Sequence, residues 1–91
     1  MADQPPKLNS LRVYIRDADK ILFDGEVKAI SFTNEMGVFD ILPLHQNFIS
    51  IVKEKLILHH QEGRKEEINI GGGVIKVYKN SVNVFLGIEK L

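Results

Sequence analysis

The chain contains the stretch Ser81-Val82-Asn83-Val84-Phe85-Leu86-Gly87-Ile88, in which Val82, Val84, Leu86 and Ile88 place an aliphatic side chain at every second position. Successive side chains of a β-strand point to opposite faces, so a period of two predicts a strand with one buried face. Leu11, Val13 and Ile15 alternate in the same way near the start of the chain. Both segments therefore favour a fold built from sheets.

The region between these two segments holds further apolar runs, each of strand length. They cover residues 21–23, 27–32, 38–42, 48–52, 56–58, 68–70 and 74–78. Residues typical of turns or bulges separate them, among them Asp24-Gly25, Pro43 and Glu62-Gly63. No helical spacing of apolar residues extends over 11 or more positions without Gly or Pro. The pattern predicts an all-β fold, a single small antiparallel β-sandwich or barrel of about 8–10 short strands.

Two short segments carry more specific predictions. Lys79-Asn80-Ser81 separates two strongly alternating runs, which predicts an antiparallel hairpin with a short turn. Burial of Val82, Val84 and Leu86 sets its register, because a slip by one residue would expose all three. Gly71-Gly72-Gly73 enters a strand, which favours a bulge or a close approach of another backbone.

Length and composition limit the class of protein. The chain has 91 residues, enough for one domain, which we place at residues 9–91 behind a flexible N-terminal arm at residues 1–8. Twelve Lys and Arg residues balance twelve Asp and Glu residues. A neutral chain lacks the charge that dominates binding to nucleic acids, so we expect proteins or small molecules as partners. No apolar run approaches the roughly 20 residues of a membrane-spanning helix, so no direct membrane insertion is expected.

Candidate catalytic residues are few. The chain has no cysteine, and therefore no thiolate nucleophile. His45 follows Pro43 in a loop, and Asp40 could orient it in a small hydrolase, but Ser31, Ser50 and Ser81 show no nucleophile motif. His59 and His60 are adjacent on a predicted strand and would point to opposite faces. We therefore predict no catalytic, cofactor or metal site, and an interaction module rather than an enzyme.

The order of the short motifs points to a known family. Leu22-Phe23-Asp24-Gly25-Glu26-Val27 is followed by Glu35-Met36-Gly37-Val38-Phe39-Asp40-Ile41-Leu42-Pro43, then by His45 and by Gly71-Gly72-Gly73-Val74-Ile75-Lys76-Val77. In this order and spacing, over about residues 11–88, the chain resembles the N-terminal β-sandwich of the epsilon subunit of F-type ATP synthase.

Some positions depart from the family pattern. Leu44-His45-Gln46-Asn47 stands where the family usually has Gly-His-Ala-Pro, and Glu54-Lys55 stands where Pro-Gly is usual. The first of these segments, with Phe48, is similar to the alternate, sodium-associated branch of the family. Most members continue into a two-helix hairpin beyond the position that corresponds to Leu91. Because this sequence stops at Leu91, we expect a form without the C-terminal helical hairpin.

The resemblance also implies a function and two contact segments. It implies a central-stalk rotor subunit, not catalytic by itself, that couples the gamma subunit to the ring of membrane rotor subunits at the cytoplasmic face of a bacterial membrane. A loop of Gly37, Val38, Phe39 and Asp40 would face the ring. His45, Gln46, Asn47 and Phe48 would lie near gamma. For Phe39 and Phe48, burial in the core is the competing interpretation. A stand-alone β-sandwich adaptor or ligand-binding module is the alternative function.

Overall fold

A computed structural model describes residues 9–44 and 47–87, which form eight strands and no α-helix. The predicted arm at residues 1–8 lies outside the described residues. None of the described segments forms a helix of the length and hydropathy that crossing a bilayer requires. The strands are β1 (Leu11–Asp17), β2 (Lys20–Val27), β3 (Ala29–Asn34), β4 (Gly37–Ile41), β5 (Phe48–His59), β6 (Lys65–Asn69), β7 (Gly73–Tyr78) and β8 (Ser81–Leu86).

The strands form two sheets that share β5. The first sheet has the order β2-β1-β8-β7 and ends on residues 48–52 of β5. In the second sheet, residues 53–59 of β5 lie between β3 and β6, and β4 forms the edge beside β3. This arrangement confirms the predicted all-β sandwich fold. The predicted separate strands at 48–52 and 56–58 are one continuous strand, because β5 passes from one sheet to the other.

Glu54 marks the point where β5 changes sheet. Its φ is +65°, in the left-handed region that non-glycine residues seldom occupy. Phe32 pairs with Leu56, whereas its neighbour Thr33 pairs with Lys53, so Glu54 and Lys55 form a bulge in β5. The amide of Ile70 donates to the backbone oxygen of Glu54 over 2.7 Å. The bulge bends the strand while its backbone stays hydrogen-bonded.

The predicted hairpin at the end of the chain is confirmed. Tyr78 of β7 pairs with Ser81 of β8, leaving the two-residue turn Lys79-Asn80. Both turn residues have positive φ, 51° and 61°, as a type I′ turn requires. Val82, Val84 and Leu86 are buried as the alternation predicts, whereas Ile88 lies outside the described residues.

Two expectations were wrong. Asp24-Gly25 is not a turn but lies within β2, where Gly25 pairs with Val13 of β1 and the ring of Phe23 lies 3.3 Å from the position a Cβ of Gly25 would occupy. The sandwich is also not wholly antiparallel, because β1 runs parallel to β8. Alternating residues identify the buried face of a strand but not the direction of its neighbour, and these two strands are far enough apart in sequence to run either way.

The core lies between the sheets and consists of aliphatic side chains and Phe32. Its buried members come from every strand except β6, whose Ile68 packs against the core only in part. The fully buried side chains include Leu11, Ile15, Ile30, Ile41, Leu56, Leu58 and Ile75. Such close packing around a shared strand makes a rigid support for the loops at the ends of the sheets.

Candidate interaction surface

The first predicted contact segment, Gly37 to Asp40, is strand β4 and not a loop. It pairs along its length with β3, and the two-residue turn Glu35-Met36 joins the strands. The Oδ1 atom of Asn34 accepts a hydrogen bond from the amide of Met36 over 2.7 Å. The apolar run at 38–42 indicated this strand, and the loop expected from the resemblance was wrong because the pairing begins at Gly37.

The side chains of β4 alternate between solvent and the core. Val38 is 76% exposed and Asp40 is also exposed, whereas Phe39 is half-buried. The ring of Phe39 stacks on Phe32 with centroids 5.7 Å apart. Beside this strand, Met36 at the turn is 85% exposed. The outward side chains of the β3–β4 hairpin therefore include two large apolar groups in contact with water.

The second predicted contact segment is described only in part, because His45 and Gln46 lie outside the described residues. Asn47 is exposed, and its Oδ1 atom accepts a hydrogen bond from the amide of Lys79 over 2.9 Å. Phe48 is half-buried and stacks on Phe32 with centroids 6.3 Å apart. Both predicted segments thus contribute a phenylalanine to one aromatic cluster, which links them through the core.

The aromatic cluster bears on the competing interpretation of Phe39 and Phe48. Both rings pack against the buried core while keeping part of their surface exposed. Among the described residues of these segments, Val38, Asp40 and Asn47 are exposed.

Sequence reasoning missed several exposed apolar side chains near these segments. Leu42 and Leu44 lie between β4 and β5, and Leu44 is 73% exposed. The amide of Leu44 donates to the Oδ1 atom of Asn80, which holds this connection against the β7–β8 turn. The signal that could have found Leu44 is an apolar residue directly after Pro43, where turn residues are usually polar.

A second set of missed residues lies on the outer face of the first sheet. Directly paired residues form one row across β5, β7, β8, β1 and β2. In that order, the row consists of Ile51, Val74, Phe85, Arg16 and Ile21. The signal that could have found this row is the pair Ile49 and Ile51, two apolar side chains at outward positions of β5.

A polar cleft lies on the outer face of the second sheet. The Oγ atom of Ser31 is 2.6 Å from Oδ1 of Asp40 and 2.8 Å from Nε2 of His59. The serine stands between the acid and the imidazole, whereas in a catalytic triad the histidine occupies that place. This arrangement contradicts a role for Ser31 as a nucleophile activated by His59. The suggested pair of Asp40 with His45 lies partly outside the described residues.

His59, the last residue of β5, and His60, which follows it, have separate partners. His60 is buried, its Nε2 atom is 2.9 Å from Oε1 of Glu66, and its ring meets the ring of Phe23 with centroids 5.9 Å apart. Within the described residues, no group of three or more His, Cys, Asp and Glu side chains is arranged to hold a metal ion.

Some surface charges outside the cleft form local pairs. Nζ of Lys55 is 2.8 Å from Oε2 of Glu67, and this hydrogen bond, with the attraction between the charges, raises the pKa of Lys55. A hydrogen bond from its own backbone amide, and then one from Arg64, lowers the pKa of Glu62. Both pairs are exposed, so they contribute little to stability.

Fold and surface together define a class of protein: a small β-sandwich with exposed apolar side chains beside its β3–β4 hairpin and the following connection. Residues 10–87 match the family model described as the β-sandwich domain of the ATP synthase delta/epsilon chain. The chain belongs to this family, which confirms the resemblance.

Curated relatives agree with the family model. The ATP synthase epsilon chain of Nitratiruptor sp. is 30% identical over 80 residues, which are 87% of this chain and 62% of that protein. The epsilon chain of Bordetella petrii is 30% identical over 76 residues, 82% of this chain and 54% of that protein. The chain thus spans somewhat more than half the length of these relatives.

Solved structures share the fold. A chain of the Euglena gracilis mitochondrial ATP synthase superposes with a TM-score of 0.81 at 18% identity, covering 94% of this chain and 54% of that one. A chain from the central stalk and c-ring of the Tetrahymena thermophila enzyme has a TM-score of 0.72 at 11% identity and covers 91% of this chain and 66% of that one.

Proposed function

We propose that this domain is a rotor part of an F-type ATP synthase that couples the gamma subunit of the central stalk to the ring of membrane rotor subunits, without catalysing a reaction itself. Membership of the delta/epsilon family supports this function. In the proposed setting the domain lies at the cytoplasmic face of a bacterial membrane, held there through the complex and without a cofactor of its own.

The observation that carries the proposal is the exposed apolar surface beside the predicted contact segments. Met36 and Val38 project from the β3–β4 hairpin, and Leu42 and Leu44 project from the connection to β5. Aromatic and Met side chains are enriched in protein interfaces, whereas charged ones are depleted at their centres. We assign the hairpin to the ring and the connection, with Asn47, to gamma.

A rigid body is required to pass torque between two partners, and the aromatic cluster provides one here. Phe39 from the ring-side segment and Phe48 from the gamma-side segment both stack on Phe32. A displacement of either segment would have to disturb the packed core, which resists deformation. The two half-buried phenylalanines are then supports for the contact residues.

The test is binding of the purified chain to its own gamma subunit and to its own rotor ring, measured separately. Val38→Asp places a charge in the proposed ring contact, so ring binding should fall by roughly tenfold or more while gamma binding is kept. Leu44→Asp should have the opposite selectivity. Ile21→Asp is the matched control, because Ile21 is exposed on β2 of the other sheet.

Binding of the unmodified chain to neither partner would reject the proposed function and favour a stand-alone adaptor. Equal losses from Val38→Asp, Leu44→Asp and Ile21→Asp would reject the assignment of the two surfaces. The thermal midpoint of each variant should stay near that of the unmodified chain, since all three side chains are exposed.

A further inference from the structure

We propose that the polar cleft on the outer face of the second sheet binds the phosphate group of a small anion, either inorganic phosphate or a phosphate monoester. The cleft is open to solvent and has a volume of about 330 Å³. It is lined by Lys28, Ala29, Ser31, Asp40, Leu42, His59, His60, Gly63 and Lys65.

Two lysines supply the positive charge of the cleft. Within residues 9–44 and 47–87, neither Lys28 nor Lys65 forms an ion pair. Elsewhere in the described residues Arg12, Lys55 and Arg64 pair with carboxylates, whereas here two unpaired lysines line one cleft. Two free ammonium groups at one cleft favour an anion with several oxygens, because each group can donate to a different oxygen.

The backbone places the two lysines on either side of His59. The amide of Lys28 donates to the backbone oxygen of His59 over 2.7 Å. His59 itself pairs with Ala29 of β3 and with Lys65 of β6. Directly paired residues of antiparallel strands place their side chains on the same face, so Lys65 shares the outer face with His59.

Hydrogen-bond chemistry determines which groups inside the cleft donate a proton and which accept one. The ionised carboxylate of Asp40 only accepts, so Ser31 donates its hydroxyl proton to Asp40. The Oγ atom of Ser31 then accepts from Nε2 of His59, which therefore carries the proton in the neutral ring. Asp40 keeps its negative charge in this arrangement, and the two lysine ammonium groups leave the lining with a net positive charge.

The composition of the cleft distinguishes a phosphate from other ligands. A metal ion would need several oxygen or nitrogen ligands, and two lysines would repel it. Asp40 is the one carboxylate in the lining, against the two ammonium groups. Glu66, which lies 2.9 Å from Nε2 of His60 and 3.7 Å from a guanidinium nitrogen of Arg64, is not among the lining residues.

The size of the cleft sets the size of the ligand. At roughly 30 Å³ for each water, its volume corresponds to about ten water molecules. That space accepts a phosphate with a few carbon atoms attached, and Ala29 and Leu42 provide an apolar wall for them. The cleft shares Asp40 with the proposed ring contact and Leu42 with the proposed gamma contact. Phosphate binding is therefore measured on the 91-residue chain without gamma or the ring, so that its failure is distinct from failure of the proposed function.

The experiment is a titration of the isotope-labelled 91-residue chain, followed by the chemical shifts of its backbone amides at constant ionic strength. Inorganic phosphate and glycerol 3-phosphate are added in separate arms, with sodium chloride as the blank. We expect saturable shifts confined to residues 28–31, 40–42 and 59–65. Saturation by phosphate alone assigns the free ion as ligand, and saturation by the ester as well extends the site to monoesters.

Charge-removing variants test the role of the lysines. Lys28→Gln and Lys65→Gln should each weaken binding by roughly tenfold, as expected for loss of a charge-assisted hydrogen bond. Lys76→Gln is the matched control, because Lys76 is an exposed lysine on β7 of the other sheet and should bind as the unmodified chain does. The amide spectrum of each variant verifies its fold, and Lys28→Arg should restore binding.

Two outcomes would overturn the proposal. One is a set of shifts that does not saturate or that spreads over all surface lysines, since that behaviour is general screening by salt. The other is saturable binding that Lys28→Gln and Lys65→Gln leave unchanged, since the phosphate would then lie elsewhere on the molecule.

Discussion

At the scale of single residues, Gly73 shows most clearly how a side chain is excluded by its neighbours. It is buried in β7 and pairs with Leu86 of β8. A Cβ at this position would lie 2.3 Å from the backbone oxygen of Phe85 and 2.9 Å from Cδ2 of Leu86. The three-glycine run predicted a close backbone approach, and the structure confirms it at this residue.

Gly73→Ala should therefore destabilise the protein by about 1–3 kcal/mol, the usual cost of overpacking. The carbonyl group is part of a strand and cannot turn aside as a flexible side chain would. Chemical denaturation monitored by far-UV circular dichroism measures this free energy of unfolding.

Gly71→Ala is the control for this prediction. Gly71 is exposed, and its φ is not positive, so the change should stay within about 0.5 kcal/mol. Equal stability of the two variants would show that β7 and β8 adjust their spacing at Gly73 without cost.

The two proposed contact positions Val38 and Phe39 also differ at this scale. The period of two along β4 indicates that Phe39 and Val38 face opposite sides, but it does not show which side carries the partner. Packing on Phe32 assigns Phe39 to the inner side and leaves Val38 exposed. Only a three-dimensional neighbour could separate these two roles.

At the scale of elements, β5 is the strand on which the architecture depends. It spans Phe48–His59 and pairs with β7 in its first part and with β3 and β6 in its second part. Glu54 takes the left-handed conformation at the crossing, where a side chain costs roughly 1–2 kcal/mol. The strand accepts this strain because its apolar residues are buried in both sheets.

Glu54→Gly should stabilise the protein by about 0.5–1 kcal/mol. Glycine adopts positive φ without a steric cost, and the greater entropy of the unfolded chain cancels part of this gain. Thermal unfolding at several denaturant concentrations measures the difference.

Lys53→Gly provides the opposite case one residue before Glu54. Lys53 is exposed and has no positive φ, so glycine should there cost about 0.5–1 kcal/mol. Destabilisation by both substitutions would contradict the interpretation of Glu54 as a strained residue.

At the scale of the whole molecule, the balance of charge bears on how the domain finds its partners. Twelve basic residues offset twelve acidic ones, and several pairs neutralise each other at the surface, such as Arg12 with Asp24. A neutral protein is steered little by long-range electrostatics, so docking depends on shape and apolar contact.

The rate of association with gamma should therefore change by less than about threefold between low and high salt, whereas electrostatically steered pairs change far more. Stopped-flow measurements at several salt concentrations provide the rate. The double variant Asp19→Lys and Glu62→Lys makes the chain basic. Its rate of association should depend more strongly on salt, provided that the contact surface of gamma carries a net charge of either sign. A steep salt dependence of the unmodified chain would indicate charge-directed docking instead.

The order of apolar and polar residues by itself determined that this protein is built from short strands with one buried face, and that a hairpin turn lies within Lys79-Asn80-Ser81. These features are local, since a strand period and a two-residue turn depend on neighbouring positions. The motifs from Leu22 to Val77 also sufficed for the family.

Tertiary structure alone decided which strands are neighbours and which side chains meet. The parallel pairing of β1 with β8, the passage of β5 between sheets and the contact of Ser31 with Asp40 and His59 join residues that are distant in sequence. Their positions follow from the packing of the whole core, in which each strand excludes alternatives for the others. A local pattern carries no information on such contacts, and for this reason the polar cleft became visible only in the folded chain.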